Sequence, residues 1–167
     1  TSKKEVEQFT VGRDPEFDIL LAPYDVLGSM AHASMLASIG LLTKEENALL
    51  QKGLKEIYVE IEQGKFAIET GVEDVHSQVE LLLTQRYGEV GKKLHSGRSR
   101  NDQVLVDLKL FYREAIREIF EEANGLADQL IQLAETHKED LMPGYTHTQL
   151  AMPSSFGLWF ASFAEGL

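Results

Sequence analysis

No cysteine occurs in the 167 residues. That excludes a disulfide framework and thiolate chemistry, and it fits a cytoplasmic protein. No apolar run approaches the ~20 residues a bilayer span needs, and the polar N-terminus carries no signal-peptide core. Positive charge is scarce: 16 Lys and Arg against 27 Asp and Glu give a net charge of −11. Such a balance speaks against nucleic acid as the bulk partner. Neither G-x-x-x-x-G-K nor G-x-G-x-x-G is present, so the common phosphate loops are excluded. H-E-x-x-H and histidine–carboxylate ligand spacings are missing too, which leaves open only hard-cation sites built from scattered carboxylates. There is no convincing alternating strand, internal repeat or low-complexity tract.

What is present is helical. With 43% hydrophobic and 26% charged residues, the chain has the composition of a soluble globular protein long enough for a real core. Asp14-Pro15-Glu16 reads as a helix start, with Asp as N-cap, and Pro23 should kink or restart that helix. From Asp25 to Ile39 a second helix is rich in small residues (Gly28, Ser29, Ala31, Ala33, Ser34) that let a backbone or a ligand come close. Thr43-Lys44-Glu45-Glu46 is a capping box ahead of an amphipathic stripe, Leu50, Leu54, Ile57 and Ile61. Glu73 and Asp74 open a further helix that buries Val75, Val79 and Leu83 and stops at Gly88.

The longest pattern runs from about Asn101 to His137 with apolar residues every three or four positions and no proline. It is far longer than the ~11–12-residue mean and belongs in a long bundle, with a second face buried as well, since Phe120 and Ile131 lie off the main stripe. Met152-Pro153-Ser154-Ser155 then starts a last helix that is apolar on nearly every face, which reads as one piece of something larger. The fold class is all-α: residues 1–100 form an N-terminal helical domain with binding loops, and 101–167 begin a central long-helix bundle.

Three polar segments interrupt the helices: Gly71 to His76, Lys92 to Gln103, and Gly144 to Gln149. The middle one places Lys92, Lys93, Arg98 and Arg100 just ahead of the long helix. A cationic loop feeding a helix N-terminus suits a small anion, because free N–H groups and the helix dipole add to the side-chain charge. His76 and His147 each sit in such a segment, although either imidazole could equally be structural. His137 at a helix end and His32 among small residues read as structural, and His95 adjoins the basic loop without a fixed role.

The string Gly97-Arg98-Ser99-Arg100-Asn101-Asp102-Gln103, preceded by Lys93-Leu94-His95-Ser96, closely resembles the segment characteristic of argininosuccinate lyases. Glu73-Asp74-Val75-His76 and Pro143-Gly144-Tyr145-Thr146-His147-Thr148-Gln149 resemble that family's other N-terminal signatures, in the same order. Gly28-Ser29 followed by Gly40-Leu41-Leu42-Thr43 is similar as well. Fumarases, aspartases and adenylosuccinate lyases share the fold but differ in the Gly-Arg-Ser-Arg-Asn-Asp run. Leu150 and Met152 depart from the more polar residues many members carry, and Thr1-Ser2-Lys3-Lys4 lacks their Trp-Gly-Gly-Arg-Phe start.

The resemblance implies a fumarase/aspartase-like fold and a β-elimination that splits argininosuccinate into arginine and fumarate without metal or organic cofactor. It implies that Ser29, Asn101, Thr146 and Gln149 hold substrate carboxylates, with charge from Arg98 or Arg100 and a donor from Ser99. His147 would be the acid/base histidine, with His76 and Asp74 in support. The family's second acid/base group, a serine in a Gly-Ser-Ser-x-Met-Pro segment, has no counterpart in these residues, so this stretch alone is expected to be inactive. The resemblance further implies a homotetramer with a central twenty-helix bundle and active sites shared between subunits. A lyase-derived structural crystallin, another fumarate-releasing lyase of the superfamily, or a helical anion-binding module are the alternatives.

Overall fold

The structure, a computed structural model, describes residues 9 and 13–167; the Thr1 to Lys4 stretch lies outside them. The described chain is helical apart from one small hairpin, as the sequence leads one to expect of its class. It divides into two compact units, residues 1–112 and 113–167.

In the first unit, helix α1 (Asp14–Asp18) passes through a tight turn (Ile19–Leu21) into α2 (Ala22–Ser38). Pro23 stands at the start of α2, where its missing N–H costs nothing, so the proline restarts the helix as anticipated. Arg13, rather than Asp14, occupies the N-cap position of α1. Helix α3 (Lys44–Glu62) opens with the full capping box: Glu46 N donates to Thr43 Oγ1 at 3.1 Å and Thr43 N to Glu46 Oε2 at 3.0 Å. Helix α4 (Val75–Tyr87) ends at Gly88, and the short α5 (Glu89–Lys92) folds back on it.

The core is made of Ala22, Val26, Ala33 and Leu36 from α2, Leu50, Leu54 and Ile57 from α3, and Val75, Val79 and Leu83 from α4. Leu94, in the turn Lys93–His95, plugs the end where the basic loop begins. Close approach of α5 depends on Gly91, where an added Cβ would stand 2.5 Å from the backbone of Leu83 and Thr84. The long helix α6 (Arg100–Thr136) is unbroken over 37 residues.

The second unit holds most of α6, a hairpin of β1 (Leu141–Thr146) and β2 (Gln149–Ser155), and α7 (Phe156–Ala164). The hairpin corrects the expectation that no strand is present. Alternation is absent from its sequence because both strands are largely exposed and carry no buried face to encode. Its turn is the two residues His147 and Thr148, both at positive φ (48° and 62°), the backbone of a primed turn matched to strand twist. The last helix, expected to start with Met152 to Ser155, begins at Phe156: those four residues end β2, and Ser155 caps the helix, accepting from Leu158 N at 3.2 Å. Gly157 packs its backbone on the end of α6, since a Cβ there would stand 2.7 Å from Ala134 O and 2.5 Å from Cα of Lys138 just beyond it. Phe120 and Ile131, off the main stripe of α6, are more than half exposed in the single chain, and so are Ile116 and Ile119.

Replacing Gly91 with Ala forces α5 off the α4 backbone and is expected to destabilise the protein by ~1–3 kcal/mol, read as a lower urea midpoint at unchanged slope.

Candidate active site

The basic loop is fixed from three directions. His32 Nε2 donates to Ser96 O at 2.9 Å, which sets the His32 tautomer and pins the chain just before Gly97, itself at φ 67°. Burial first of all lowers the His32 pKa. At the far side, Ser99 caps α6: its Oγ accepts from Asn101 N at 3.2 Å, and Asp102 Oδ2 returns to Ser99 N at 2.9 Å. The Ser99 hydroxyl hydrogen remains available to donate, and the Asn101 side chain is exposed in the first turn.

The two arginines have different fates. Arg100 is spent on the protein itself: Nη1 reaches Asp74 Oδ2 at 2.6 Å and Glu73 Oε2 at 3.1 Å, and Nη2 donates to Ser77 Oγ at 2.9 Å. Asp74 simultaneously caps α4 by accepting from Ser77 N at 2.8 Å. This clamp joins two of the three polar segments singled out in the sequence. Arg98 behaves otherwise. Its Nη2 donates to Ser29 Oγ at 3.2 Å, its Nε is buried without a partner, and among the described residues it forms no ion pair within 4.0 Å. Burial is the main reason its pKa is lowered; the charges of Asp25, Asp107 and Asp102 offset part of this.

Behind Ser29 and Arg98 lies a buried polar cluster. Asp25 Oδ1 accepts from His76 Nδ1 at 2.8 Å and from Gln103 Nε2 at 3.3 Å, and Asp107 Oδ2 stands 3.6 Å from the same imidazole nitrogen. Burial opposes charge on His76, yet the hydrogen bond and charge of Asp25, then Asp107 and Asp74, outweigh it and raise its pKa. Asp107 is pushed up to about 7, by burial first and then by the charge of Asp25. Asp18, whose Oδ2 accepts from Val75 N at 2.5 Å, is raised by burial as well.

Asp25, His76 and Asp107 offer ligand atoms within 4.8 Å of one another. The Nδ1–Oδ1 separation is, however, that of a hydrogen bond, so a proton already joins those two atoms. The crevice lined by Asp25, Ser29, His76, Arg98 and Gln103 has room for about one water.

Of the residues singled out beforehand, Ser29, Asp74, His76, Arg98, Ser99, Arg100 and Asn101 belong to the first unit and gather around this loop. Thr146, His147 and Gln149 belong to the second, at the hairpin tip, with Thr146 and Gln149 paired across the turn and His147 exposed on it. Asp25, Gln103 and Asp107 were missed. Their signal was an acid or amide placed on an apolar stripe: Asp25 shares the buried face of Ala22, Val26 and Ser29, and Asp107 lies between the half-buried Val104 and Phe111.

Comparison with known proteins gives a consistent picture. The model of the lyase family matches residues 2–167. Argininosuccinate lyase of Bacteroides fragilis is 66% identical over 164 residues, covering 98% of this chain. That of Caldanaerobacter subterraneus subsp. tengcongensis is 50% identical over 149 residues, covering 89%. The chain spans 37% and 33% of the lengths of these curated relatives. Among solved structures, an EDDS lyase variant with bound fumarate superposes with a TM-score of 0.75 at 27% identity, over 89% of this chain and 29% of that one. β-Carboxy-cis,cis-muconate cycloisomerase from Acinetobacter calcoaceticus sp. ADP1 shares the fold, with a TM-score of 0.69 at 20% identity over 87% of this chain and 35% of that one.

The raised carboxyl of Asp107 makes a pH prediction. Between its ordinary value of 3.8 and about 7 the folded state binds more protons there than the unfolded state, so stability falls as pH rises through that window. The raised Asp18 and His76 act in the same direction. Urea unfolding at either end of the window should show a smaller loss for Asp107→Asn than for the parent.

Proposed function

We propose a function from the premise that this chain belongs to the lyase family: it supplies part of the active site of an argininosuccinate lyase. The reaction eliminates arginine from argininosuccinate and releases fumarate. The observation that carries this reading is the sorting of the two arginines, Arg100 neutralised by Glu73 and Asp74 while Arg98 rests on the Ser29 hydroxyl with no carboxylate partner among the described residues. A cation held in that way has capacity for a ligand carboxylate.

Elimination removes the proton on the carbon beside a carboxylate, breaks the carbon–nitrogen bond and leaves the electron pair as the new double bond. Negative charge builds on the neighbouring carboxylate as the proton departs, so cations and donors must be aimed at it beforehand. Arg98 supplies the charge, and Ser29, Ser99, Asn101, Thr146 and Gln149 supply hydrogen bonds. Arg100, Asp74 and His76 hold the loop and the α4 start in place. The departing guanidinium nitrogen needs a proton and the carbon needs a base; His147 takes one of these roles, since imidazole titrates near neutrality. The other role falls to the serine of a Gly-Ser-Ser-x-Met-Pro segment, which residues 1–167 do not include.

The exposed apolar faces of α6 and α7 support assembly into a homotetramer, whose helices form the central bundle and whose active sites draw on more than one subunit. The division into a loop-bearing part, 1–100, and a bundle part, 101–167, belongs to the same reading. So does the cytoplasm as compartment, in keeping with the lack of cysteine.

The whole protein carrying this segment should convert argininosuccinate, followed by the ultraviolet absorbance of fumarate. His147→Asn should lower kcat by ~100-fold or more at unchanged folding, and a kcat within a factor of about three of the parent would sink the acid/base role. Residues 1–167 expressed alone should show no turnover, and fumarate release at the parent rate would contradict the serine requirement.

A further inference from the structure

The reading above leaves unexplained why two carboxylates lie buried directly behind a site meant for carboxylates. Asp25 and Asp107 are each 1% exposed, and buried like charges this close must be compensated. Arg98 forms no ion pair with either within 4.0 Å among the described residues, and Gln103 offers Asp25 only an amide dipole. Among the described residues the imidazole of His76, 5% exposed, lies between the two, with one nitrogen hydrogen-bonded to Asp25 at 2.8 Å and 3.6 Å from Asp107, whose Oδ2 has no hydrogen-bond partner. Its other nitrogen is buried without a partner, and the ring lines the same crevice as Ser29 and Arg98.

We propose that Asp25 and Asp107 are positioning residues for the anion site, holding the His76 ring as an imidazolium in the crevice lined by Ser29 and Arg98. For the identity of the anion this rests on the functional reading; for the charge state it rests on the cluster alone. Geometry gives each carboxylate a second task. Asp25 lies one helical turn before Ser29, so tying it to α4 and α6 sets where the Ser29 hydroxyl stands. Asp107 lies against α2 at Gly28, where an added Cβ would stand only 3.5 Å from its Oδ1. The ring is thus gripped from α2 and α6 while α4 carries it.

The consequence is a pH-dependent site. The charges facing the ring are Asp25 from α2, Asp74 from the α4 cap, and Asp107 from α6. Asp18 from α1 and Arg98 from the loop act on Asp107, and Glu80, His95 and Arg100 line the crevice beside it. When the ring loses its proton, two carboxylates remain behind the site with Arg98 as the near cation, and anion binding weakens. KM for argininosuccinate should therefore rise on the alkaline side while kcat changes little.

Nitrogen-15 spectra of histidine-labelled whole protein without substrate read the ring directly. The expected result is a doubly protonated His76 that titrates above an ordinary histidine. A neutral His76 ring at pH 6 would overturn the proposal, and this arm needs no variant to fold. In kinetics, Asp25→Asn and Asp107→Asn should raise KM at neutral pH by about tenfold with kcat within about threefold, and should move the alkaline rise of KM to lower pH. A KM–pH profile in folded variants that overlays the parent would also overturn it. Should the parent fail to convert argininosuccinate, the functional reading falls, while the spectrum still decides the charge of His76.

Discussion

The first unit is organised by the cost of burying the Asp25 carboxylate. A carboxylate at that depth must be met by hydrogen bonds, and the structure answers from two other helices, with His76 of α4 and Gln103 of α6. Those contacts do more than neutralise. They fix the rotation of α2 and α4 about their own axes, which sets the direction of Ser29 one turn from Asp25 and of Asp74 two residues before His76. The apolar core of Leu50, Leu54, Ile57 and Leu83 holds the helices together but tolerates small slips; a buried hydrogen-bonded network does not.

From that constraint the two arginines acquire separate roles two residues apart. Arg100 meets the α4 cap, where Asp74 already accepts a backbone N–H, so its charge closes an internal account and anchors the loop. Arg98 emerges between Gly97 and the capped start of α6, where Ser29 receives one of its nitrogens and, among the described residues, no carboxylate pairs with it within 4.0 Å. A lysine in place of Arg100 would lose the planar fork that spans the Asp74 carboxylate and the Ser77 hydroxyl. Both arginines look alike in the sequence, and only their surroundings separate one paired with carboxylates from one that rests on a hydroxyl.

Much was legible beforehand because it is local. Helix spans, the Thr43 capping box, the Asp74 cap, the Gly88 stop and the 37-residue rod all follow from periodicity and end chemistry. The hairpin was not legible, because its strands bury no face and its turn uses His147 and Thr148 where glycine or asparagine would have announced it. Asp25, Gln103 and Asp107 escaped for the opposite reason. Each is an ordinary polar residue whose meaning arises from neighbours far along the chain, 51 positions between Asp25 and His76 and 78 between Asp25 and Gln103. Resemblance filled part of that gap for Ser29 and the loop, since a residue string carries information that spacing alone does not.

The hairpin has one further property. Pro143 and Pro153 stand directly opposite each other in the register. Prolines can face one another in an antiparallel pair only where the amide nitrogens point outward, so each outer edge of the ribbon lacks a donor near its middle. A third strand finds no continuous ladder on either side. The ribbon is thereby protected against edge-to-edge aggregation, a useful property in a chain whose helices leave so much apolar surface open to other partners.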